Sequence, residues 1–190
     1  MSLIKQIIDR SVAVKQATAE SCIMPAEQAA LMIAESLQNN GKLMLCGNGG
    51  SAGDSQHLAA EFVATLDHRK PRKGLAAIAL TTDSSLLTAF SNDFGFEGIF
   101  DRQVETLGHE GDVLIAISTS GNSENVMRAA TTARAMGIYV IAMTGQSGGK
   151  LADNCDILLN VPSDKTMHIQ ESHIALGHAI TAAVETCLGF

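Results

Sequence analysis

Apolar and polar positions follow two different periods along the chain, and these periods predict its secondary structure. Short, almost wholly apolar runs are typical of strands that are buried on both faces of a parallel sheet. Such runs occur at 43–46, 76–80, 113–117, 139–143 and 157–161. Apolar residues at helical spacing predict helices over 3–20, 25–39, 54–66, 98–107, 122–136 and 167–188. The pattern therefore predicts an α/β protein with a five-stranded parallel sheet flanked by helices.

The chain shows no linker, no internal repeat and no low-complexity segment, so we expect its 190 residues to form one domain. Residues 1–40 are predicted to form an N-terminal helical arm, and residues 41–190 the α/β body. A lone domain would leave the apolar side chains of the first helix exposed. We therefore expect this arm to pack between subunits of an oligomer.

Charge and cysteine usage narrow the classes of function. The net charge of −7 disfavours a surface for nucleic acid or anionic membrane, because both need a basic patch. The four cysteines form no Cys-x-x-Cys pair, as expected for reduced thiols. Neither a secretion signal nor an apolar run of membrane-spanning length is recognisable. These features predict a cytoplasmic protein without nucleic-acid or membrane partners.

Two serine-containing turns are the strongest sign of a binding site. Residues 47–51 (GNGGS) and 118–123 (STSGNS) each follow an apolar run and precede a predicted helix. Ligands bind at the carboxyl ends of parallel strands, and helix N-termini favour anions. Neither turn has the spacing of a dinucleotide-binding or P-loop motif. The hydroxyls of the second turn could surround a phosphate, although plain helix capping is the alternative.

Candidate acid, base and metal-binding residues lie on two of the predicted helices. His57 and Glu61 are four residues apart and share a helix face. Gln170 and His178 are eight residues apart, about 12 Å along an ideal helix. They reach one atom only if the helix is distorted or if two subunits share the site. His173 is as good a candidate for a pocket as His178.

Two further features are less informative on pattern alone. The segment Asn92-Asp93-Phe94-Gly95 is interpreted as a loop or the end of a helix, and an Asx turn accounts for it equally well. His168 lies in polar surroundings and is predicted to be on the surface.

Taken together, these motifs resemble those of the sugar isomerase (SIS) domain family, and within it those of the phosphoheptose isomerases. The resemblance covers almost the whole chain, through CGNGGSAGDSQHLAAEF (46–62), AIALTTD (77–83), SNDFGFEGIF (91–100), GHEGDVLIAISTSGNSENV (108–126) and IQESHIALGH (169–178). It implies a single SIS domain with a flavodoxin-like three-layer sandwich. It also implies homotetramers whose active sites lie between subunits. A site shared by two subunits would explain how Gln170 and His178 can reach the same atom.

The resemblance implies an isomerase that converts sedoheptulose 7-phosphate to D-glycero-D-manno-heptose 7-phosphate. This ketose–aldose isomerisation would pass through an enediol and serve ADP- or GDP-heptose and lipopolysaccharide core biosynthesis. The closest different class is a non-catalytic tetrameric scaffold of the replication-initiator-associating type. That class lacks the acid/base pair, whereas Glu61 and His178 are both present here.

The resemblance also implies roles for individual residues. The residues that would line the sugar site are Asn48, Gly49, Gly50, Ser51, Asn92 and Asp93. Those that would hold the phosphate are Ser118, Thr119, Ser120 and Ser123. The implied ligands of one Zn²⁺ per subunit are His57, Glu61, Gln170 and His178. Glu61 and His178 would be the catalytic acid and base, and Glu61 and Gln170 would also contact the substrate.

The chain departs from the family pattern at one position near the predicted site. Thr65 stands where the family has an arginine, four residues after the glutamate. Arg69 or Lys70, in the loop that follows, could supply the missing charge.

Overall fold

The computed structural model, which describes residues 2–190, is built on a five-stranded parallel sheet of order β2-β1-β3-β4-β5. The strands are β1 (Leu43–Gly47), β2 (Ala77–Ala79), β3 (Val113–Ile117), β4 (Tyr139–Gly145) and β5 (Ile157–Val161). Each neighbouring pair runs parallel. This is the flavodoxin-like order, and it confirms the predicted sheet. The order reverses between β1 and β3, where such folds place their ligands.

The helices are α1 (Leu3–Ser21), α2 (Ile23–Gln38), α3 (Gly50–Val63), α4 (Ser84–Phe94), α5 (Asp101–Leu107), α6 (Glu124–Ala135) and α7 (Thr166–Cys187). Two of them differ most from the sequence prediction. Helix α3 begins four residues early, because Gly49 adopts a positive φ of 57° and turns the chain straight from β1 into the helix. Helix α4 was not predicted. Leu87, Phe90 and Phe94 lie at helical spacing, although none of them is fully buried.

The helices cover both faces of the sheet and make two apolar cores. Along β1, Leu43 and Leu45 face the core formed with α2, α3 and α7. Met44 and Cys46 face the other core, formed with α5 and α6. This alternation is the period-two geometry of a strand. All four side chains are fully buried, which is why the strand is an almost continuous apolar run in the sequence.

Helices α3 and α7 approach each other closely at Gly177. A Cβ atom at this position would lie 2.6 Å from the Leu58 methyl groups, a distance that real Cβ atoms do not show. The absence of a side chain at Gly177 therefore lets the two helices lie side by side. The faces that carry His57 and His178 are brought together by this contact.

His173 is a structural residue of α7 and faces the sheet. Its side chain is 1% exposed, and its Nε2–H donates to the carbonyl oxygen of Thr144 at 3.0 Å. Burial lowers the pKa of His173 from 6.5 to about 4. His173 is therefore a buried core residue, whereas the His178 side chain contacts His57 on α3.

We expect His173 to make folding stability depend on pH. Because its pKa is lowered in the folded state, only the unfolded chain takes up this proton between pH 6.5 and 4. The free energy of unfolding should fall by up to about 3 kcal/mol as the pH drops through that window. Urea denaturation at several pH values measures this, with His173→Gln as the non-titrating control. Equal pH slopes for the two proteins would contradict the assignment.

The N-terminal helices divide into a buried one and an exposed one. Ala29, Ala30 and Ile33 of α2 are buried in the core with α7, so α2 is an integral layer of the domain. Along α1, Ile4, Ile8 and Val12 are between 50% and 75% exposed. Within residues 2–190, no helix is both long and apolar enough to cross a membrane.

Candidate active site

The two serine-containing turns lie next to each other at the carboxyl edge of the sheet. Strands β1 and β3 are direct neighbours, with Gly47 opposite Ile117 at their ends. The side-chain amides of Asn48 and Asn125 exchange two hydrogen bonds, each 2.9 Å long. This reciprocal pair joins the first turn to the start of α6. The topological switch point therefore carries both predicted ligand-binding segments.

The second turn gathers its hydroxyl groups in one place. The Oγ atom of Ser118 lies 2.9 Å from that of Ser123 and 3.4 Å from that of Ser120. Ser123 is the N-cap residue of α6, yet its side chain makes no capping hydrogen bond. Plain capping therefore does not account for the Ser123 hydroxyl, which leaves the anion-binding interpretation favoured.

Gly121 allows the second turn to pack against the loop after β4. Its φ is 66°, and a Cβ atom there would collide with the carbonyl oxygen of Gly148. Any other residue would push the two loops apart. Beyond this contact, a cavity of about 350 Å³ borders Thr119 and Ser120. Its other polar lining residues were not identified from the sequence and are Gln146, Ser147, Ser163, Asp164 and Thr166. These residues come just after β4 and β5 in the sequence. Their position after two apolar runs could have identified them as lining residues.

The strongest cluster of chemical groups is formed by His57, Glu61 and His178. The two histidine Nε2 atoms lie 3.0 Å apart. Glu61 Oε1 lies 3.1 Å from His57 Nε2 and 3.4 Å from His178 Nε2. The Glu61 side chain is 14% exposed, whereas those of His57 and His178 are about half exposed at 55% and 43%. The cluster therefore opens to solvent and to ligands on its histidine side.

This cluster has the properties of a metal-binding group. One potential ligand atom from each of the three residues lies within 4.8 Å of the others. The second carboxylate oxygen, Glu61 Oε2, is buried and has no hydrogen-bond partner among residues 2–190. Two imidazole nitrogens and a carboxylate with an unused oxygen are a donor set that suits a divalent cation such as Zn²⁺. The residues fit a metal ion at this position.

Gln170 lies eight residues before His178 on α7 and contacts α3 one turn before His57. Its Nε2 donates to Asp54 Oδ1 at 2.7 Å. Asp54 is 6% exposed, and desolvation raises its pKa, an effect that the hydrogen bond from Gln170 and the nearby histidines oppose. The sequence interpretation missed Asp54, although Asp54, His57 and Glu61 share a face of α3 at positions i, i+3 and i+7.

Helix α7 itself is regular from Thr166 to Cys187. Gln170 and His178 nevertheless both reach α3, because the two helices lie side by side and Gln170 contacts a different turn of α3 from His178. Neither a distorted helix nor a second subunit is needed to bring both residues to α3.

Other predicted positions lie apart from the cluster in this chain. Asn92 and Asp93 are exposed in the last turn of α4, where the Asn92 amide donates to Asp93 Oδ1. Apart from this bond, neither side chain forms a hydrogen bond with a predicted site residue among residues 2–190. His168, which we expected on the surface, is 3% exposed. Helix α1 packs against this end of α7, where Glu171 Oε2 lies 3.5 Å from His168 Nδ1 and accepts a hydrogen bond from Ser11.

Arg69, one of the two residues that could replace the expected arginine, is paired within its own loop. Thr65 Oγ1 donates to the carbonyl oxygens of Asp67 and Lys70 and so shapes the loop. The Arg69 side chain is 78% exposed and is paired with Asp67. Arg72 donates to the carbonyl oxygen of Glu61 at 2.9 Å, but its guanidinium is buried with Glu185. None of these side chains presents a free cation to the cluster.

The parallel sheet, with the two serine-containing turns at its switch point, defines a class of α/β protein. Comparison with known families identifies that class. The SIS domain model matches residues 6–145. The chain therefore belongs to the SIS domain family.

Within this family the chain is similar to phosphoheptose isomerases. It is 48% identical to that of Neisseria meningitidis over 181 residues, which are 94% of this chain and 91% of the relative. It is 47% identical to that of Aneurinibacillus thermoaerophilus over 187 residues, which are 97% and 93% of the two chains. The solved phosphoheptose isomerase of Neisseria gonorrhoeae superposes with a TM-score of 0.91 at 45% identity, covering 96% of this chain and 97% of that one.

Proposed function

We propose that this chain is a phosphoheptose isomerase, which converts sedoheptulose 7-phosphate to D-glycero-D-manno-heptose 7-phosphate. The observation that carries the proposal is the His57–Glu61–His178 cluster on α3 and α7. Helix α3 begins at the first ligand-binding turn, so the cluster and the turns belong to one site. The similarity to full-length phosphoheptose isomerases supports the same activity. The product would feed ADP- or GDP-heptose and lipopolysaccharide core biosynthesis.

The reaction moves one proton from C1 to C2 of the sugar and another between their oxygens. In our proposal Glu61 and His178 perform these transfers through a cis-enediol, one as base and the other as acid. The serine turn would hold the phosphate and so fix the distance between C1 and the carboxylate. Asn48, Gly49, Gly50 and Ser51 would line the sugar path between the two. The open space above Gly49, with no atom within 4 Å of a Cβ built there, supports this path.

Zn²⁺ is the proposed cofactor, one ion per subunit. The residues that would hold it are His57, Glu61, Gln170 and His178. When bound, the ion would supply a Lewis acid beside the substrate carbonyl.

The proposed activity and its dependence on Zn²⁺ are tested by conversion of sedoheptulose 7-phosphate by purified protein, before and after chelation and after return of Zn²⁺. We expect conversion that chelation lowers and Zn²⁺ restores. Protein that is inert on this sugar but binds a replication initiator would favour the non-catalytic scaffold instead.

The serine turn yields a prediction about substrate affinity. Ser120→Ala and Ser123→Ala should each raise KM more than they lower kcat, because each removes a hydrogen bond to a charged phosphate. Such a bond contributes about 1.5–3 kcal/mol, and about 1.4 kcal/mol corresponds to a tenfold change. Steady-state kinetics on sedoheptulose 7-phosphate measure both constants. Unchanged KM with reduced kcat in both variants would mean that the phosphate binds elsewhere.

A cytoplasmic homotetramer with active sites between subunits is the proposed assembly. The exposed apolar side chains of α1 support it, because monomers rarely leave such a stripe in water. Asn92 and Asp93 are exposed in the last turn of α4, which leaves them accessible to the sugar of a neighbouring subunit. Light scattering at micromolar concentration should give four chain masses, and Ile8→Glu should lower that mass. A monomer mass for the unaltered protein would contradict the assembly.

A further inference from the structure

Asp54 is a buried carboxylate of α3 to which neither the family resemblance nor the mechanism above gives a role. It is 6% exposed, and its Oδ1 accepts the 2.7 Å hydrogen bond from Gln170 Nε2. Its other oxygen, Oδ2, is buried with no hydrogen-bond partner among residues 2–190. A purely structural carboxylate has both oxygens satisfied, because an unpaired buried acceptor is destabilising. The unpaired oxygen needs an explanation, and Asp54 lies on the face of α3 that also carries His57 and Glu61.

The contact with Asp54 selects one of the two orientations of the Gln170 amide. A glutamine side chain carries an N–H₂ group that donates and a carbonyl oxygen that accepts or ligates. An ionised carboxylate only accepts, so it pairs with the N–H₂ end. The carbonyl Oε1 is then directed away from Asp54 and is left free for a ligand.

Packing around Gln170 supports a fixed orientation. A Cβ atom built at Gly50 would lie 3.5 to 3.7 Å from Gln170 Cγ, Cδ and Nε2, so this side chain lies directly over the first residue of α3. Three residues after Asp54 on α3, His57 begins the metal-binding cluster. Gln170 is thus held between the first ligand-binding turn and the cluster.

We propose that Asp54 is a positioning residue that orients the Gln170 amide so that Oε1 serves as a metal ligand. This inference rests on the proposed zinc site. It explains how an amide, a weak and uncommon zinc ligand, contributes there. Partners that orient metal ligands typically change metal affinity 10- to 100-fold when they are removed.

The test measures the affinity of the intact protein for Zn²⁺ alone, by competition with a chromophoric chelator. Asp54→Ala should weaken Zn²⁺ binding about 10- to 100-fold. Asp54→Asn keeps an acceptor oxygen and should lose less. Asp153→Ala removes an exposed carboxylate and is the matched control, with unchanged affinity expected. Denaturation of the metal-free proteins shows whether each variant is folded.

A double-variant cycle separates positioning from a merely structural role. If Asp54 acts through Gln170, then Asp54→Ala should cause no further loss of Zn²⁺ affinity in a Gln170→Ala background. Equal losses in both backgrounds, or wild-type affinity in Asp54→Ala, would overturn the proposal. So would an unaltered protein that binds no Zn²⁺. A protein that binds Zn²⁺ with this coupling but does not isomerise the sugar would refute only the proposed function.

Discussion

Glu61→Gln and His178→Asn should each reduce turnover of sedoheptulose 7-phosphate by at least ~10²-fold, the usual contribution of one positioned acid or base. The reason is geometric, because Glu61 Oε1 lies 3.4 Å from His178 Nε2 and both can face one bound sugar. Both variants should still fold, assemble and bind the sugar phosphate. Steady-state kinetics and equilibrium binding on the same preparations measure the two effects separately.

The double variant tests whether these residues act as a unit. Because both serve one sequence of proton transfers, combining Glu61→Gln with His178→Asn should cost much less than the product of the single effects. His173→Gln is the matched control on α7, since His173 faces the sheet and not the cluster. Wild-type turnover by Glu61→Gln would show that the chemistry does not use this carboxylate.

The largest expected loss of stability follows from Arg72→Met. The Arg72 side chain is 2% exposed and is paired with Glu185, whose side chain is 15% exposed. It also donates hydrogen bonds to the carbonyl oxygens of Phe62 and Glu61, each at 2.9 Å, in the last turn of α3. Its removal leaves the largely buried Glu185 carboxylate without its counter-charge and the Glu61 carbonyl oxygen without the donor that Arg72 supplies. Breaking a buried ion pair in this way costs about 3–5 kcal/mol.

Urea denaturation at fixed protein concentration measures the effect of Arg72→Met. Arg69→Met is the matched control, because Arg69 belongs to the exposed pair with Asp67 and should leave the midpoint unchanged. Equal midpoints for Arg72→Met and the unaltered protein would mean that this pair does not hold α3 to α7. Since Arg72 contacts the Glu61 backbone, a smaller loss of turnover should accompany the loss of stability.

The sheet was predictable because its strands are buried on both faces. A short, continuous apolar run such as 113–117 is typical of a strand inside a parallel sheet, and the structure places β3 at those residues. Helix α4 was missed although Leu87, Phe90 and Phe94 lie at helical spacing, because this stripe is only three residues long and none of the three is buried. The early start of α3 depends on the positive φ of Gly49, a backbone property that residue pattern does not report.

The site was only partly predictable from sequence. Glu61 and His57 could be paired by their helical spacing, but their contact with His178 depends on how closely α3 and α7 pack at Gly177. His168 and His173 could not be placed, because single histidines in a polar context carry no burial signal. Asp54 was missed for a related reason. Its role depends on a partner 116 positions away in the chain.

The most direct test of this account follows hydrogen at C1 and C2 while the protein equilibrates sedoheptulose 7-phosphate in D₂O. If Glu61 and His178 move a proton through an enediol, that proton exchanges with solvent over repeated turnovers. Proton NMR should then show deuterium at C2 of the aldose product and at C1 of the recovered ketose. Glu61→Gln should show neither product nor exchange. No conversion by the unaltered protein, or conversion that leaves C1 and C2 free of deuterium, would contradict the account.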